Sequence, residues 1–171
     1  MRSSNAPVLL VEDNPSEVLL MRRAWAKAGV RCPLVTAHDG NEALEYLQNS
    51  GHYGARRSSV FPALVLADLN MPGRNGFDLL HWIRCESDTP TLVVIILTAS
   101  ELSSDITTAY ALGANAFLRK PGTWHGLVEL LKDLDHFWLK WPSLPEPFPV
   151  PEGRTFLVRN RASATLTTTY R

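Results

Sequence analysis

The chain lacks the features that mark several large classes of protein. It has only two cysteines among 171 residues, Cys32 and Cys85, and their separation does not match the spacing of a metal site. We expect both to be reduced thiols of a cytoplasmic protein. No apolar run approaches the roughly 20 residues that span a bilayer, and no apolar signal segment precedes Asp13. The sequence therefore predicts neither membrane association nor secretion.

An excess of charge is missing as well. The 17 basic and 17 acidic residues give a formal net charge of zero. Because proteins that bind phosphate backbones usually carry a basic excess, we expect no nucleic-acid partner. What the chain does have is apolar residues, 45% of the total, which is the level of a globular protein with a buried core. The length suits one domain with a short extension.

Short apolar runs and helix-like segments alternate five times along the chain. Each run has the length and composition of a buried strand. The runs are Val8–Val11, Leu34–Ala37, Ala63–Ala67, Leu92–Leu97 and Ala116–Leu118. Because parallel strands need crossover connections, this alternation predicts an α/β fold, a doubly wound five-stranded parallel sheet with helices on both faces.

Helix boundaries are indicated by residues that suit helix ends. Pro15 fits a first turn, either Asp13 or Asn14 can cap that helix, and Gly29 fits the position after its last turn. The other predicted caps are Asp39, either Ser103 or Ser104, and Thr123. The last predicted helix, from Thr123 to Trp141, carries one apolar face, made of Leu127, Leu130, Leu131, Leu134, Phe137 and Trp138.

The composition changes near residue 142. We expect a folded domain over residues 1–141, with its core at about 7–140, and an extension over 142–171. Alternating prolines from Pro142 to Pro151 predict an extended, Pro-rich arm, and Thr155–Val158 and Ala164–Thr167 beyond it have strand-like composition. We expect this arm to hold a two-fold homodimer, since symmetric dimers are the commonest assembly. The alternative is a tail packed on its own domain.

Three carboxylates follow predicted strands, Glu12 and Asp13 after the first and Asp68 after the third. Because the carboxyl ends of parallel strands meet at one edge of the sheet, we expect these acids to converge there. Converging carboxylates repel one another unless a cation joins them, which predicts Mg²⁺, or Mn²⁺, at this edge. The alternatives are that Glu12 and Asp13 serve the following helix and that Asp68 caps a turn.

Thr98 follows the fourth predicted strand and Lys120 the fifth, so both join the same edge. Taken singly, each is an ordinary turn or surface residue. Together with the acids they supply a nucleophilic carboxylate, metal ligands, a hydroxyl donor and a cation. This set fits phosphoryl transfer, which depends mainly on positioning and on the neutralisation of charge.

Four stretches of the chain carry a resemblance to a known family. They are Leu10–Asn14, Asp68–Gly73, Leu97–Ala99 and Lys120–Pro121. Over about residues 7–140 they resemble the receiver domain of two-component response regulators. The resemblance implies the flavodoxin-like receiver fold and a phosphoryl group accepted by Asp68 from a phosphohistidine of a histidine kinase. Such a protein is a phosphoacceptor that catalyses only its own phosphorylation and dephosphorylation.

The same resemblance assigns the metal ligands. It implies that Asp13 and Asp68 bind Mg²⁺ through their carboxylates and that Asn70 contributes its backbone carbonyl. Glu12 would help, acting through a water molecule.

The resemblance also assigns the contacts of the phosphoryl group and the switch. It implies that Thr98, Lys120 and the backbone of Ala99 contact the phosphoryl oxygens, and that the small Ala99 side chain leaves room for them. Thr98 and Phe117 would form the conformational switch. The peptide bond between Lys120 and Pro121 would be cis.

Three further stretches are similar to the single-domain regulators that partner phytochrome-type histidine kinases, namely Val11–Pro15, Tyr110–Asn115 and Phe137–Leu139. We expect no attached DNA-binding module, because little chain follows Trp141. Two other functions stay open. One is an interaction scaffold that does not depend on phosphorylation. The other is a phosphatase of the haloacid-dehalogenase type with Asp68 as nucleophile, although such sites carry a second acid where this chain has Asn70.

Overall fold

Five parallel strands form one sheet, and helices cover both of its faces. The computed structural model describes residues 6–53 and 61–140, together with the backbone of 156–158 and 166–168. The strands are β1 (Val8–Val11), β2 (Leu34–Ala37), β3 (Leu64–Ala67), β4 (Val93–Thr98) and β5 (Ala116–Arg119). They lie in the order β2-β1-β3-β4-β5, all parallel. The predicted doubly wound, flavodoxin-like sheet is confirmed.

The helices alternate with the strands as predicted. They are α1 (Pro15–Ala28), α2 (Gly40–Gln48), α3 (Gly76–Cys85), α4 (Ser103–Ala111) and α5 (Trp124–Leu134). A 3₁₀ turn at Gly51–Tyr53 follows α2, and a π-helical segment at Asp135–Leu139 follows α5. Within the described residues, no helix is long and apolar enough to cross a membrane.

The two faces of the sheet bury separate cores. Side chains alternate along a strand, so Val8 and Leu10 of β1 enter the core beneath α1 and α5, whereas Leu9 and Val11 enter the core beneath α2, α3 and α4. Strands β1, β3 and β4 are buried on both faces. That double burial is the reason why these strands are continuous apolar runs rather than alternating ones.

Most helix ends lie where the sequence predicts them. Asn14 caps α1 by accepting a hydrogen bond from the Ser16 N–H at 2.9 Å, and Gly29 ends this helix with a φ of 74°. The left-handed conformation of Gly29 is one that side chains with a Cβ rarely adopt. Asp39 caps α2 and Thr123 caps α5, as predicted.

The predicted cap of α4 is wrong. Among the described residues, no side chain caps this helix, which begins after Leu102. Ser103 and Ser104 lie inside the first turn, so neither occupies the position from which a side chain reaches the free N–H groups. The Ser100 hydroxyl instead donates to Asp105 Oδ2 at 2.5 Å and so bridges the preceding loop to the helix.

The end of the last helix also differs from the prediction. Phe137 is exposed and therefore does not join the apolar face. Its ring packs edge-on against Trp138, with the two ring centroids 5.1 Å apart. The π-helical segment changes the angular spacing of the side chains, and Asp135 takes the buried position. Trp141 and the Pro142–Pro151 arm lie outside the described residues.

Two short strands lie in the extension. They are β6 (Phe156–Val158) and β7 (Leu166–Thr168), which pair antiparallel. Both overlap the segments that the sequence identifies as strand-like. That part of the prediction is confirmed.

Candidate functional site

Glu12 and Asp68 directly follow two adjacent strands, since β1 ends at Val11 and β3 ends at Ala67. The Asp68 N–H donates to the Val11 carbonyl at 3.0 Å, and the Glu12 N–H donates to the Ala37 carbonyl at 3.0 Å. These bonds continue the parallel ladders past the strand ends, so the sheet itself fixes the backbone of both acids. Both residues are buried. The convergence that the sequence predicts for these two acids is present.

The loop after Asp68 folds back tightly against it. The Asn70 N–H donates to Asp68 Oδ1 at 3.3 Å, and the Gly76 N–H donates to the Leu69 carbonyl at 3.3 Å. A Cβ at position 76 would lie 2.3 Å from the backbone carbonyl oxygen of Asp68. Glycine is therefore required where α3 begins, a role that the sequence analysis missed although a glycine after the polar Asn75 was visible there.

Lys120 reaches the acids from β5. Its N–H donates to the Thr98 carbonyl at 2.8 Å, which extends the pairing of β4 with β5. Its ammonium donates to Asp68 Oδ2 at 2.5 Å and to Glu12 Oε2 at 2.6 Å. A third carboxylate, that of Glu17 in the first turn of α1, also accepts a hydrogen bond from this ammonium. The lysine is thus a central partner of the acidic cluster and not a solvated surface residue.

Burial and charge act on these groups in opposite directions. Burial raises the pKa of Glu12 above its ordinary value, and the contacts with Lys120 offset this only in part. For Asp68, burial also raises the pKa, but Lys120 together with hydrogen bonds from Thr98 and the Asn70 N–H outweighs it, and the pKa is lowered. The pKa of Lys120, which burial alone would lower, is raised by its hydrogen bonds to the three acids. At neutral pH the Asp68 carboxylate is therefore ionised, as a nucleophile must be.

The chemistry of these donors suits a hard divalent cation. Oxygen atoms of Glu12, Glu17 and Asp68 lie within 4.8 Å of one another. Carboxylate oxygens are the ligands that Mg²⁺ and Mn²⁺ take in proteins, and three carboxylates with one ammonium leave two negative charges. Within the described part of the chain, Asp13 is half-buried and is not a member of this group, although the sequence analysis expected it as a ligand.

The other predicted residues lie on β4 and β5 and in the loop after β4. Thr98 is fully buried at the end of β4, and its hydroxyl accepts a hydrogen bond from the Ser100 N–H at 3.3 Å. Ala99 lines a cavity of about 260 Å³ beside Lys120 and Glu17. Phe117 lies on β5, half-buried against the core beneath α4. The structure thus brings Thr98, Ala99 and Lys120 to one edge.

One expectation about this edge is wrong. No peptide bond in the described part of the chain is cis, so the bond between Lys120 and Pro121 is trans. The trans form is the intrinsically preferred one for a bond to proline, by about 0.5–1 kcal/mol. Lys120 makes its backbone and ammonium contacts with this bond in the trans form.

Glu17 is the member of the cluster that the sequence analysis did not identify. It is the third residue of α1, after Pro15 and Ser16. An acid in a first turn normally indicates only a favourable interaction with the helix dipole. Its position was the available signal, because the helix starts three residues after Glu12 and its first turn therefore lies at the same edge of the sheet.

Comparison with known proteins agrees with the fold. The sequence profile described as the response regulator receiver domain matches residues 8–132. Response regulator Rcp1 of Synechocystis sp. is 31% identical over 144 residues, which cover 83% of this chain and 96% of Rcp1. The structure of its Mn²⁺-bound form is similar at a TM-score of 0.72, with 29% identity over 82% of this chain and 99% of that one.

Two further solved structures are similar over the same region. One is the phosphorylated cyanobacterial phytochrome response regulator RcpA, with a TM-score of 0.74 and 32% identity over 83% of this chain and 99% of that one. The other is response regulator RPA3017 in red light signalling of R. palustris, with a TM-score of 0.76 and 35% identity over 82% of this chain and 99% of that one. From its sequence match, its strand order and the residues at the carboxyl edge of its sheet, the chain belongs to the family of response regulator receiver domains.

Proposed function

We propose that this receiver is a phosphoacceptor switch whose acceptor is Asp68. The observation that carries the proposal is the ion pair of Asp68 with Lys120, 2.5 Å apart, beside a cavity at the carboxyl end of the sheet. An Asp68 oxygen attacks the phosphorus of a phosphohistidine on a histidine kinase. The bond from phosphorus to nitrogen breaks, the imidazole leaves, and an acyl phosphate forms on Asp68. Hydrolysis by water restores the carboxylate and releases inorganic phosphate, and the protein catalyses these two steps alone.

A divalent cation, Mg²⁺ or Mn²⁺, belongs to this proposal. Asp68 and Asp13 would hold it with the backbone carbonyl of Asn70, and Glu12 would act through a water molecule. When bound, the cation would neutralise charge that develops on the phosphoryl oxygens. The acidic cluster of this chain and the Mn²⁺-bound form of Rcp1 support the assignment.

Lys120, Thr98 and the Ala99 N–H would contact the phosphoryl oxygens. Thr98 is the switch residue, because its hydroxyl, which hydrogen-bonds to Asp68, would donate instead to the phosphoryl group. The β4–α4 loop would follow, and with it the neighbouring Phe117. A Thr98→Ala variant should accept phosphate at Asp68 but bind its downstream partner as the unphosphorylated protein does. Full switching of this variant would exclude Thr98 as the coupling residue.

The acceptor is tested by labelling with acetyl phosphate in the presence of Mg²⁺. Asp68→Asn keeps the shape of the side chain and removes its nucleophilic charge, so labelling should be lost. Asp133→Asn, the same change at an exposed position of α5, is the matched control and should label as the wild type does. Full labelling of Asp68→Asn would overturn the site. Labelling that has no effect on partner binding would instead favour an interaction scaffold.

We propose a phytochrome-type histidine kinase as the donor. The support is the similarity to RcpA, a phytochrome response regulator, and to a regulator in red light signalling. The test is phosphotransfer from each purified histidine kinase of the same genome. Transfer from a phytochrome-type kinase should be the fastest, and faster transfer from another kinase would identify a different donor.

We also propose the domain division and the dimer. The receiver domain would occupy residues 1–141, and the extension, 142–171, would hold a two-fold homodimer. Exposed Ile106 and Tyr110 on α4, beside β5, support a dimer surface on this side of the domain. Truncation after Trp141 should convert dimer to monomer in light scattering without loss of Asp68 labelling. A full-length chain that is monomeric at micromolar concentration would exclude the dimer.

A further inference from the structure

Lys120 has as many carboxylate partners as it has ammonium protons. A lysine ammonium carries three donors, and those of Lys120 are taken by Glu12, Asp68 and Glu17. The first two partners belong to the site described above. Glu17 comes from a different element, α1, and has no role in phosphate acceptance so far.

The three carboxylates differ in their access to water. The side chain of Glu12 is 4% exposed and Asp68 is also buried, whereas the side chain of Glu17 is 43% exposed. A buried carboxylate that loses its cation is left with an uncompensated charge. Water compensates an exposed carboxylate, so the contact of Lys120 with Glu17 can strengthen or weaken at little cost.

Lys120 and a divalent cation would compete for the negative charge of Glu12 and Asp68. The ammonium and the cation would also repel each other when both are present. If the ammonium had only these two partners, metal binding would displace it from the edge where the phosphoryl group forms. Glu17 offers it a partner outside that pair, on the side of α1.

We propose that Glu17 is a positioning residue for Lys120. It holds the ammonium beside Asp68 while the carboxylates of Glu12 and Asp68 turn toward a divalent cation. This inference rests on the proposed function, since it assumes that the cation and the phosphoryl group use this edge. It goes beyond that function because it assigns a third acid, on α1, to the control of Lys120.

The test measures Mn²⁺ binding by titration calorimetry, which does not depend on phosphorylation. Glu17→Gln keeps the length of the side chain and removes its charge. Lys120 is then left with Glu12 and Asp68 as its charged partners and competes with the metal for them. We expect the dissociation constant for Mn²⁺ to rise about three- to tenfold. Urea unfolding of the same variant shows that the change is not a loss of folding.

Glu129→Gln is a matched control. Glu129 lies on α5, pairs with Lys132 at 2.8 Å and is 48% exposed, so it matches Glu17 as a lysine-paired carboxylate of similar exposure. This variant should bind Mn²⁺ as the wild type does. An equal rise in the dissociation constant for Glu129→Gln would show that any lost surface charge has this effect, and it would overturn the proposal.

A double variant separates positioning from direct ligation. In a Lys120→Met background the ammonium is gone, so adding Glu17→Gln should change Mn²⁺ affinity by about twofold or less. A full three- to tenfold effect in that background would mean that Glu17 acts on the metal without Lys120, and it would overturn the positioning role. If wild-type protein binds Mn²⁺ and Glu17→Gln binds equally tightly, this role alone is excluded. A wild type that binds no Mn²⁺ would overturn the proposed metal site as well.

Discussion

Two cationic side chains lie at opposite ends of the sheet, and their hydrogen-bond partners differ in charge. Lys120, at the carboxyl ends of the strands, donates to three carboxylates. Arg84, at the end of α3, lies at the amino ends of β4 and β5 and donates to four neutral oxygens. These are the carbonyls of Pro90, Leu92 and Gly113 and the side-chain oxygen of Asn115, at 2.8–2.9 Å.

The difference separates a functional charge from a structural one. Burial lowers the pKa of Arg84, and its partners are neutral groups, three backbone carbonyls and one side-chain amide oxygen. The partners of Lys120 raise its pKa and carry more negative charge than it can neutralise. The guanidinium therefore joins two loops through neutral acceptors and requires no further partner. The ammonium belongs to a cluster whose net charge is negative, which suits the binding of a further cation.

Arg84 should show the larger effect on stability. Arg84→Met leaves several partly buried carbonyls without a donor, and each such group costs about 1–3 kcal/mol. We expect a loss of about 3 kcal/mol in the free energy of unfolding in urea. The loss should be equal in EDTA and in saturating Mg²⁺, because Arg84 lies at the opposite end of the sheet from the acids.

Arg84→Lys is the control for charge alone. Lysine keeps the positive charge but lacks the planar fork that reaches four acceptors, so it should recover less than half of the loss. Recovery of wild-type stability by lysine would mean that Arg84 acts by charge and not by geometry, and the contrast with Lys120 would fail.

Lys120 should show a smaller effect that depends on metal. Lys120→Met removes charge-assisted hydrogen bonds and leaves the carboxylates of Glu12, Glu17 and Asp68 to repel one another, and we expect a loss of about 2 kcal/mol in EDTA. Mg²⁺ at about 100 times its dissociation constant should return about 2.7 kcal/mol. Lys132→Met, at the exposed pair with Glu129, is the control: it should lose little stability in EDTA and should respond to Mg²⁺ as the wild type does. If Mg²⁺ did not restore the stability of Lys120→Met, the inference that the cluster carries a net negative charge able to bind a cation would be contradicted.

The fold could be predicted because its signals are local. Each strand is an apolar run, and Pro15, Gly29, Asp39 and Thr123 satisfy or end a helix by bonds that span a few residues. The alternation of strands and helices implies parallel strands, whose carboxyl ends share one edge of the sheet, and this places Glu12 and Asp68 together. Where the local signal was ambiguous the prediction failed, as it did for Ser103 and Ser104 as caps of α4.

The finer parts of the site depend on contacts between distant residues. Glu17 and Lys120 are separated by 103 positions, and whether a carboxylate in a first turn points toward the sheet edge depends on how α1 packs. The four acceptors of Arg84 likewise come from two loops that follow different elements. The exposure of Phe137 depends on the π-helical segment, which residue spacing does not indicate.

The acidic cluster should also leave a signature in the dependence of stability on pH. The pKa of Glu12 is raised by burial, so the folded state binds its proton more tightly than the unfolded state does. This contribution to stability is complete below the ordinary value of 4.5 and is lost as the pH rises through the folded pKa. Glu12→Gln should therefore gain less stability than the wild type as the pH falls from neutral toward that value.

Asp68 should behave in the opposite way. Burial raises its pKa, but Lys120 and the hydrogen bonds from Thr98 and Asn70 together lower it, so its contribution to stability is present above the ordinary value of 3.8. That contribution is lost as the pH falls through the folded pKa. Asp68→Asn should therefore lose less stability than the wild type below this pH. Urea unfolding over a series of buffers checks both variants, and parallel pH curves for all three proteins would contradict the assignment.

The smallest effect is expected at a third cation, Arg119, the neighbour of Lys120. Its guanidinium pairs with Glu101 of the β4–α4 loop, but the two side chains are 58% and 72% exposed. Water and salt screen such a pair, so Arg119→Gln should change the free energy of unfolding by less than about 1 kcal/mol. Double-mutant cycles with Glu101→Gln in urea, at low and high salt, should give a coupling that disappears in high salt. A coupling that persists in high salt would show that exposure does not decide what a cation contributes here, and the contrast between Lys120 and Arg84 would need another cause.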